Sequence, residues 1–75
     1  MKITYDAQAD ALYFELHPLA PGTAECRSLT EDILADYGPD GKLAGIEILD
    51  ASILLGEDPH RLVFEVAPLV ATRSA

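Results

Sequence analysis

Apolar residues recur mostly at every second position, the spacing that sends side chains to one face of an extended strand. Ile3 and Tyr5 alternate with Lys2 and Thr4, which predicts a first strand over residues 2–5. Asp6-Ala7-Gln8-Ala9-Asp10 follows, short and polar at both ends. Asp6 can turn its carboxylate back onto nearby backbone N–H groups, which favours a turn. Leu12, Phe14 and Leu16 then alternate with Tyr13, Glu15 and His17, giving a second strand and, with the first, a hairpin. Ala and Gln favour helix, so a helix over 7–16 competes. The alternation and the aromatics at 13 and 14 decide for strand.

Pro18 and Pro21-Gly22 end that strand in a surface loop. Residues 24–29 read as a third strand, Thr30-Glu31-Asp32 as a turn or bulge, and residues 33–37 as a fourth strand. Gly38-Pro39-Asp40-Gly41 is the clearest turn signal in the chain: proline presets φ, and glycine accepts the positive φ that closes the turn. Residues 43–49 form a fifth strand. Pairing Tyr37 with Lys42 sets Ala35 against Ala44 and Ile33 against Ile46, with Ile48 on the same side. A slip of one residue would turn Asp36 and Asp32 into the apolar side, at a cost on the order of several kcal/mol. Asp50 to Gly56 predicts a short helix, with Asp50 as its N-cap and Gly56 as its C-terminal glycine. Glu57-Asp58-Pro59 interrupts the chain, and Leu62, Phe64 and Val66 mark a sixth strand over 61–66. The fold class is mainly β (α+β): a small antiparallel β-meander of four to six strands with one short helix after strand five. Residues 1–66 form a single domain and 67–75 a flexible C-terminal tail.

Length limits what such a sheet can do. A chain of 75 residues buries about three-fifths of its surface, enough for one small core and too little for an enclosed enzyme cleft. Apolar residues make up 49% of the chain, which excludes intrinsic disorder. Thirteen Asp and Glu against five Lys and Arg give a net charge of −8. The five cations, Lys2, Arg27, Lys42, Arg61 and Arg73, are scattered, so no basic footprint for nucleic acid exists. The aromatics therefore read as sheet packing, not as platforms for bases. Cys26 stands alone, which precludes an intramolecular disulfide, and reads as a packed, inert thiol. With no apolar signal region at the N-terminus and no apolar run near the length of a membrane span, the expected location is the cytoplasm.

Two stretches resemble a known family. Met1-Lys2-Ile3-Thr4-Tyr5-Asp6 with Ala9-Asp10-Ala11-Leu12-Tyr13, and Asp36-Tyr37, Gly41-Lys42-Leu43 and the run from Gly45 to Ser52, resemble the two signatures of the DUF2283 family of small bacterial proteins. The likeness covers roughly the first 52 residues. Gly38-Pro39 departs from it, since the family commonly has an acidic residue after the tyrosine. The resemblance implies a fold and no reaction. Some members are thought to be encoded beside small toxin-like proteins, which implies an antitoxin role with a small basic partner.

Asp6, Asp10, Asp36, Glu47 and Asp50 are hard oxygen donors of the kind that Ca²⁺ or Mg²⁺ takes, but their spacing matches no EF-hand loop. The simpler reading has Asp6 ordering a turn, Asp50 capping the helix and Glu47 on an exposed strand face. His17 and His60 follow as solvated loop residues. Glycine-rich phosphate loops, nucleophile elbows and paired-cysteine zinc patterns are all missing from the sequence. No residue is therefore assigned as catalytic, cofactor-binding or metal-binding. The expectation is a non-catalytic protein-interaction module, with an antitoxin as its narrower form; the alternative is a small divalent-cation-binding protein or a metal-assisted enzyme using surface carboxylates. Leu34, Leu43, Leu49 and the run Ile53-Leu54-Leu55 offer more apolar surface than one thin sheet hides. That leaves two solutions open, a homodimer or cover by the chain's own helix and last strand.

Overall fold

The alternation becomes five strands in the computed structural model, which describes residues 1–68. They are β1 (Lys2–Asp6), β2 (Ala11–Glu15), β3 (Glu25–Ser28), β4 (Ile33–Tyr37) and β5 (Leu43–Ile48). A short helix, α1 (Ala51–Leu55), and one 3₁₀ turn (Pro59–Arg61) follow. The strands form a single antiparallel sheet in the order β1-β2-β5-β4-β3. The hairpin β1-β2 and the meander β3-β4-β5 are thus joined through β2 and β5. The proline-containing connection 16–24 carries the chain to the far edge, so β3 does not pair with β2.

Short-range chemistry fixes each turn. Asp6 Oδ1 accepts from the N–H groups of Gln8 (3.0 Å) and Ala9 (3.2 Å), closing the first hairpin. Thr30 Oγ1 accepts from the N–H groups of Asp32 and Ile33, both at 3.1 Å, between β3 and β4. Gly41 sits at φ 77° and donates to the Gly38 carbonyl at 2.9 Å, while Gly38 N–H donates to the Lys42 carbonyl at 2.9 Å.

That last bond corrects the expected register. Gly38, not Tyr37, meets Lys42, leaving a three-residue loop that ends on a left-handed glycine. A bulge then shifts the register between Asp36 and Tyr37, so Ala35 faces Ile46 and Ile33 faces Ile48. The two displacements add to two residues. Side chains repeat with period two, so Ile33, Ala35, Ile46 and Ile48 still share a face.

The ladders place side chains in rows. On one face Ile3, Phe14, Ile46, Ala35 and Arg27 line up across all five strands, beside a second row of Tyr5, Leu12, Ile48 and Ile33. The other face carries Thr4, Tyr13, Glu47, Leu34 and Ser28, and then Lys2, Glu15, Gly45, Asp36 and Cys26. The first face is apolar and the second polar. Among the described residues the buried hydrophobic side chains are Leu12, Ala35, Ala44 and Ala51, so the sheet is close to a single layer.

The expected sixth strand is absent. Residues 62–68 form no ladder and make no backbone hydrogen bond to β1. Alternation supplies a side-chain pattern but not a partner edge. Phe64 of this segment lines an open hollow with Met1 and Ile3, and is itself 74% exposed. The proposed tail falls outside the described residues except for 67 and 68.

Gly45 is a packing requirement. Tyr13 crosses β5 directly over it and donates its hydroxyl to Asp36 Oδ2 at 2.8 Å. A Cβ at position 45 would overlap the Tyr13 hydroxyl and come within 3.2 Å of the Phe14 carbonyl. Gly45→Ala should therefore destabilise the fold by about 1–3 kcal/mol in denaturant titrations, as overpacking does. In a Tyr13→Ala background the same substitution should cost clearly less. An equal cost in both backgrounds would remove Tyr13 as the reason for the glycine.

Candidate functional site

Two clusters gather side chains that carry chemistry, and both begin with a strand tyrosine. In the first, Tyr5 donates its hydroxyl to Asp10 Oδ1 at 2.6 Å. The same carboxylate accepts from the Ser52 N–H (3.1 Å to Oδ1, 3.3 Å to Oδ2) and from the Ser52 hydroxyl at 2.7 Å. The Asp10 backbone carbonyl accepts from Ala51 N–H at 2.9 Å. Asp10 adopts φ 50°, a left-handed conformation that Asp and Asn tolerate better than most residues.

This arrangement corrects the assignment of Asp50. Asp50 precedes α1 but is left-handed at φ 50°, and its side chain makes no capping bond. Asp10, 42 residues before Ser52, satisfies the helix N–H instead. At the other end Gly56 closes the helix at φ 71° with a bond to the Ile53 carbonyl, as its position in the sequence led us to expect.

The hydrogen bonds set the protonation states. The Tyr5 bond, followed by Ser52, holds the Asp10 carboxyl below its ordinary range. Bonding to Asp10 in turn pushes the Tyr5 phenol up to about 12. The Tyr5 ring also meets the His60 ring edge-on, with centroids 4.9 Å apart, and His60 Nδ1 lies 2.9 Å from Asp58 Oδ1. His60 is thus a loop histidine tethered to β1.

The second cluster is the Tyr13–Asp36 pair on the polar face. Burial first, and then the Asp36 bond, pushes the Tyr13 phenol up to about 12. Cys26 stands opposite Asp36 in the ladder. It is exposed and not packed as expected, because β3 is an edge strand exposed along its whole length. Partial desolvation and then Asp36 nevertheless raise its thiol pKa, which reduces the thiolate.

The five candidate metal ligands do not converge. Asp6 orders its turn, Asp10 binds Tyr5 and Ser52, Asp36 binds Tyr13, Glu47 lies in the polar row, and Asp50 is exposed beside α1. Among the described residues no group of three or more His, Cys, Asp or Glu could hold a metal ion. Nor is any of their helices long and apolar enough to cross a membrane.

A family model described as "Protein of unknown function (DUF2283)" matches residues 2–52. The chain belongs to this family. The DUF2283 region runs from β1 to Ser52, so it contains both tyrosine clusters and ends on the residue that Asp10 holds. No curated protein and no solved structure matches the chain.

Three substitutions test the Asp10 contact. Asp10→Asn keeps the left-handed backbone but weakens the acceptor, and should lower the melting temperature at neutral pH by several degrees. A depressed carboxyl pKa stabilises the fold above the unfolded value of about 3.9 and loses that stability as pH falls through the folded value. The wild type should therefore lose stability in acid below about pH 4 more steeply than Asp10→Asn. A raised phenol pKa acts in the opposite sense: its stabilisation is present below about pH 10 and is lost as pH rises through about 12. Tyr5→Phe should flatten this alkaline limb, leaving the part due to Tyr13. Asp50→Gly relieves a left-handed residue without losing a cap, and should raise stability by up to about 1 kcal/mol. A loss on Asp50→Gly would restore Asp50 as the N-cap.

Proposed function

We propose that this DUF2283 protein is a non-catalytic protein-interaction module that acts in the cytoplasm and presents the apolar face of its sheet to a partner. The observation that carries this reading is the pair of apolar rows, in which Leu12 and Ala35 are buried but Phe14, Ile46 and Ile48 stay half-buried and Ile3 is 37% exposed. Apolar side chains ordered on one rigid face are what a protein partner buries.

The titration of the polar groups supports a binding role over an enzymatic one. An acid or base working near neutral pH needs a pKa close to that pH. Here the two clustered phenols are pushed up to about 12, the Asp10 carboxyl is pushed down and the Cys26 thiol up. The groups that are close together already satisfy one another. The narrower form of the proposal, an antitoxin neutralising a small basic protein, draws support from the other face, where Glu15, Asp36 and Glu47 gather.

Affinity capture with the intact chain from its source organism, followed by mass spectrometry, tests both forms. The expected result is a specific protein partner whose capture is lost with Ile46→Asp. A small basic partner released by salt and insensitive to Ile46→Asp would favour the antitoxin form. Reproducible turnover on a hydrolase substrate panel would overturn the non-catalytic reading.

A further inference from the structure

We infer that the partner on the apolar face is a second copy of this chain, packed face to face about a two-fold axis; this rests on the interaction reading above. Charge singles out that occupant. The chain carries a net charge of −8, yet the strands place no carboxylate on this face except Glu25 at its β3 margin. Arg27 neutralises Glu25 at 3.1 Å and lies over the Tyr37 ring at 4.7 Å. A face whose strand charges cancel offers little to recognise a basic protein. Among the described residues, its strand rows let two equally acidic molecules meet with few opposing carboxylates, Asp10 and Asp58 standing only at the Tyr5 corner.

Area then says how far the contact extends. Five strands about 4.8 Å apart and five residues long, at about 3.3 Å each, give a flat footprint of roughly 400 Å². A stable interface takes about 800 Å² from each partner. The strands alone fall short, so the contact must include the apolar side chains at the margin. The margin at β1 is shaped for that. Met1, Ile3 and Phe64 line an open hollow of about 320 Å³, and Ile3 belongs to the apolar row. A two-fold arrangement uses each such margin twice. Phe64, 74% exposed in the single chain, becomes part of the buried contact in the pair.

Sedimentation equilibrium of the full chain over micromolar to submillimolar concentration provides the test. The expected species has twice the 8.1 kDa chain mass. Its association should tighten as salt rises, because screening relieves repulsion between two acidic chains, whereas a charge-driven complex would loosen. Ile46→Asp should abolish the dimer. Because Ile46→Asp can also disturb folding, Phe64→Asp is the decisive variant: at an exposed site outside the sheet, it should weaken dimerisation at least tenfold with an unchanged far-UV circular dichroism spectrum. Thr4→Asp, on the opposite face, should leave the dimer intact. A strictly monomeric wild type, or a dimer sensitive to Thr4→Asp and indifferent to Phe64→Asp, overturns the inference. If a monomeric chain still captures another protein through Ile46, the interaction reading survives; if it captures none, both fall.

Discussion

Asp10 determines where the chain after the sheet can go. Its carboxylate joins the hydroxyl of Tyr5 on β1 to the N–H and hydroxyl of Ser52 on α1, while its carbonyl takes the neighbouring N–H of Ala51. One residue in a left-handed turn thus supplies both the hairpin geometry and the cap of a helix 42 positions away. Leu12 and Ala51, close to Asp10 and to its Ala51 bond, are among the few fully buried hydrophobic residues. With α1 held at that end, the rest of the apolar face is only partly covered: Phe14, Ile33, Ile46 and Ile48 are half-buried.

The strands were legible because period two is a strong signal even in short runs. The alternation over residues 33–37 has the bounds of β4, and the turn at Gly38-Pro39-Asp40-Gly41 is marked by the residues that close it. The pairing register was less accessible. It depends on the bulge opposite Asp36 and Tyr37, which pairs them with Gly45 and Leu43 and leaves Ala44 unpaired, and a small apolar residue in a strand gives no sign that it will be skipped. The shared face of Ile33, Ala35, Ile46 and Ile48 survived because two single-residue displacements preserve parity. The sixth strand failed for a different reason. Leu62, Phe64 and Val66 alternate well, but a strand also needs a free edge in the right place, which a pattern cannot state.

The candidate site was harder to read, since its decisive contacts are long-range. Asp50 stands where a local N-cap belongs, and nothing near it in sequence points to Asp10 as its replacement. Tyr13 and Asp36 are 23 residues apart, and Gly45 becomes meaningful only once it lies between them. Cys26 is exposed where its alternation reads as packed, because alternation does not distinguish a central strand from an edge strand. The resemblance to DUF2283 marked the right residues, since both tyrosines, Asp10, Gly45 and Ser52 lie in its two signatures, but it gave them no contacts.

The distribution of charge explains how a sheet this exposed can associate without growing into an open chain of strands. Its two edges, β1 and β3, carry unpaired backbone groups that could template further pairing. Lys2 and Asp6 bracket β1, and β3 is only four residues long with Glu25 and Arg27 on it. Charged, short edges resist extension in the sheet plane. The adhesive surface therefore lies perpendicular to that plane, and contact through one face uses it up. Among the described residues the sheet itself has blunted edges, one acidic face and one apolar face, so a pair formed through the apolar face leaves no second apolar sheet face from which to continue. On this view the net charge of −8 restricts association to one geometry as well as keeping the protein in solution.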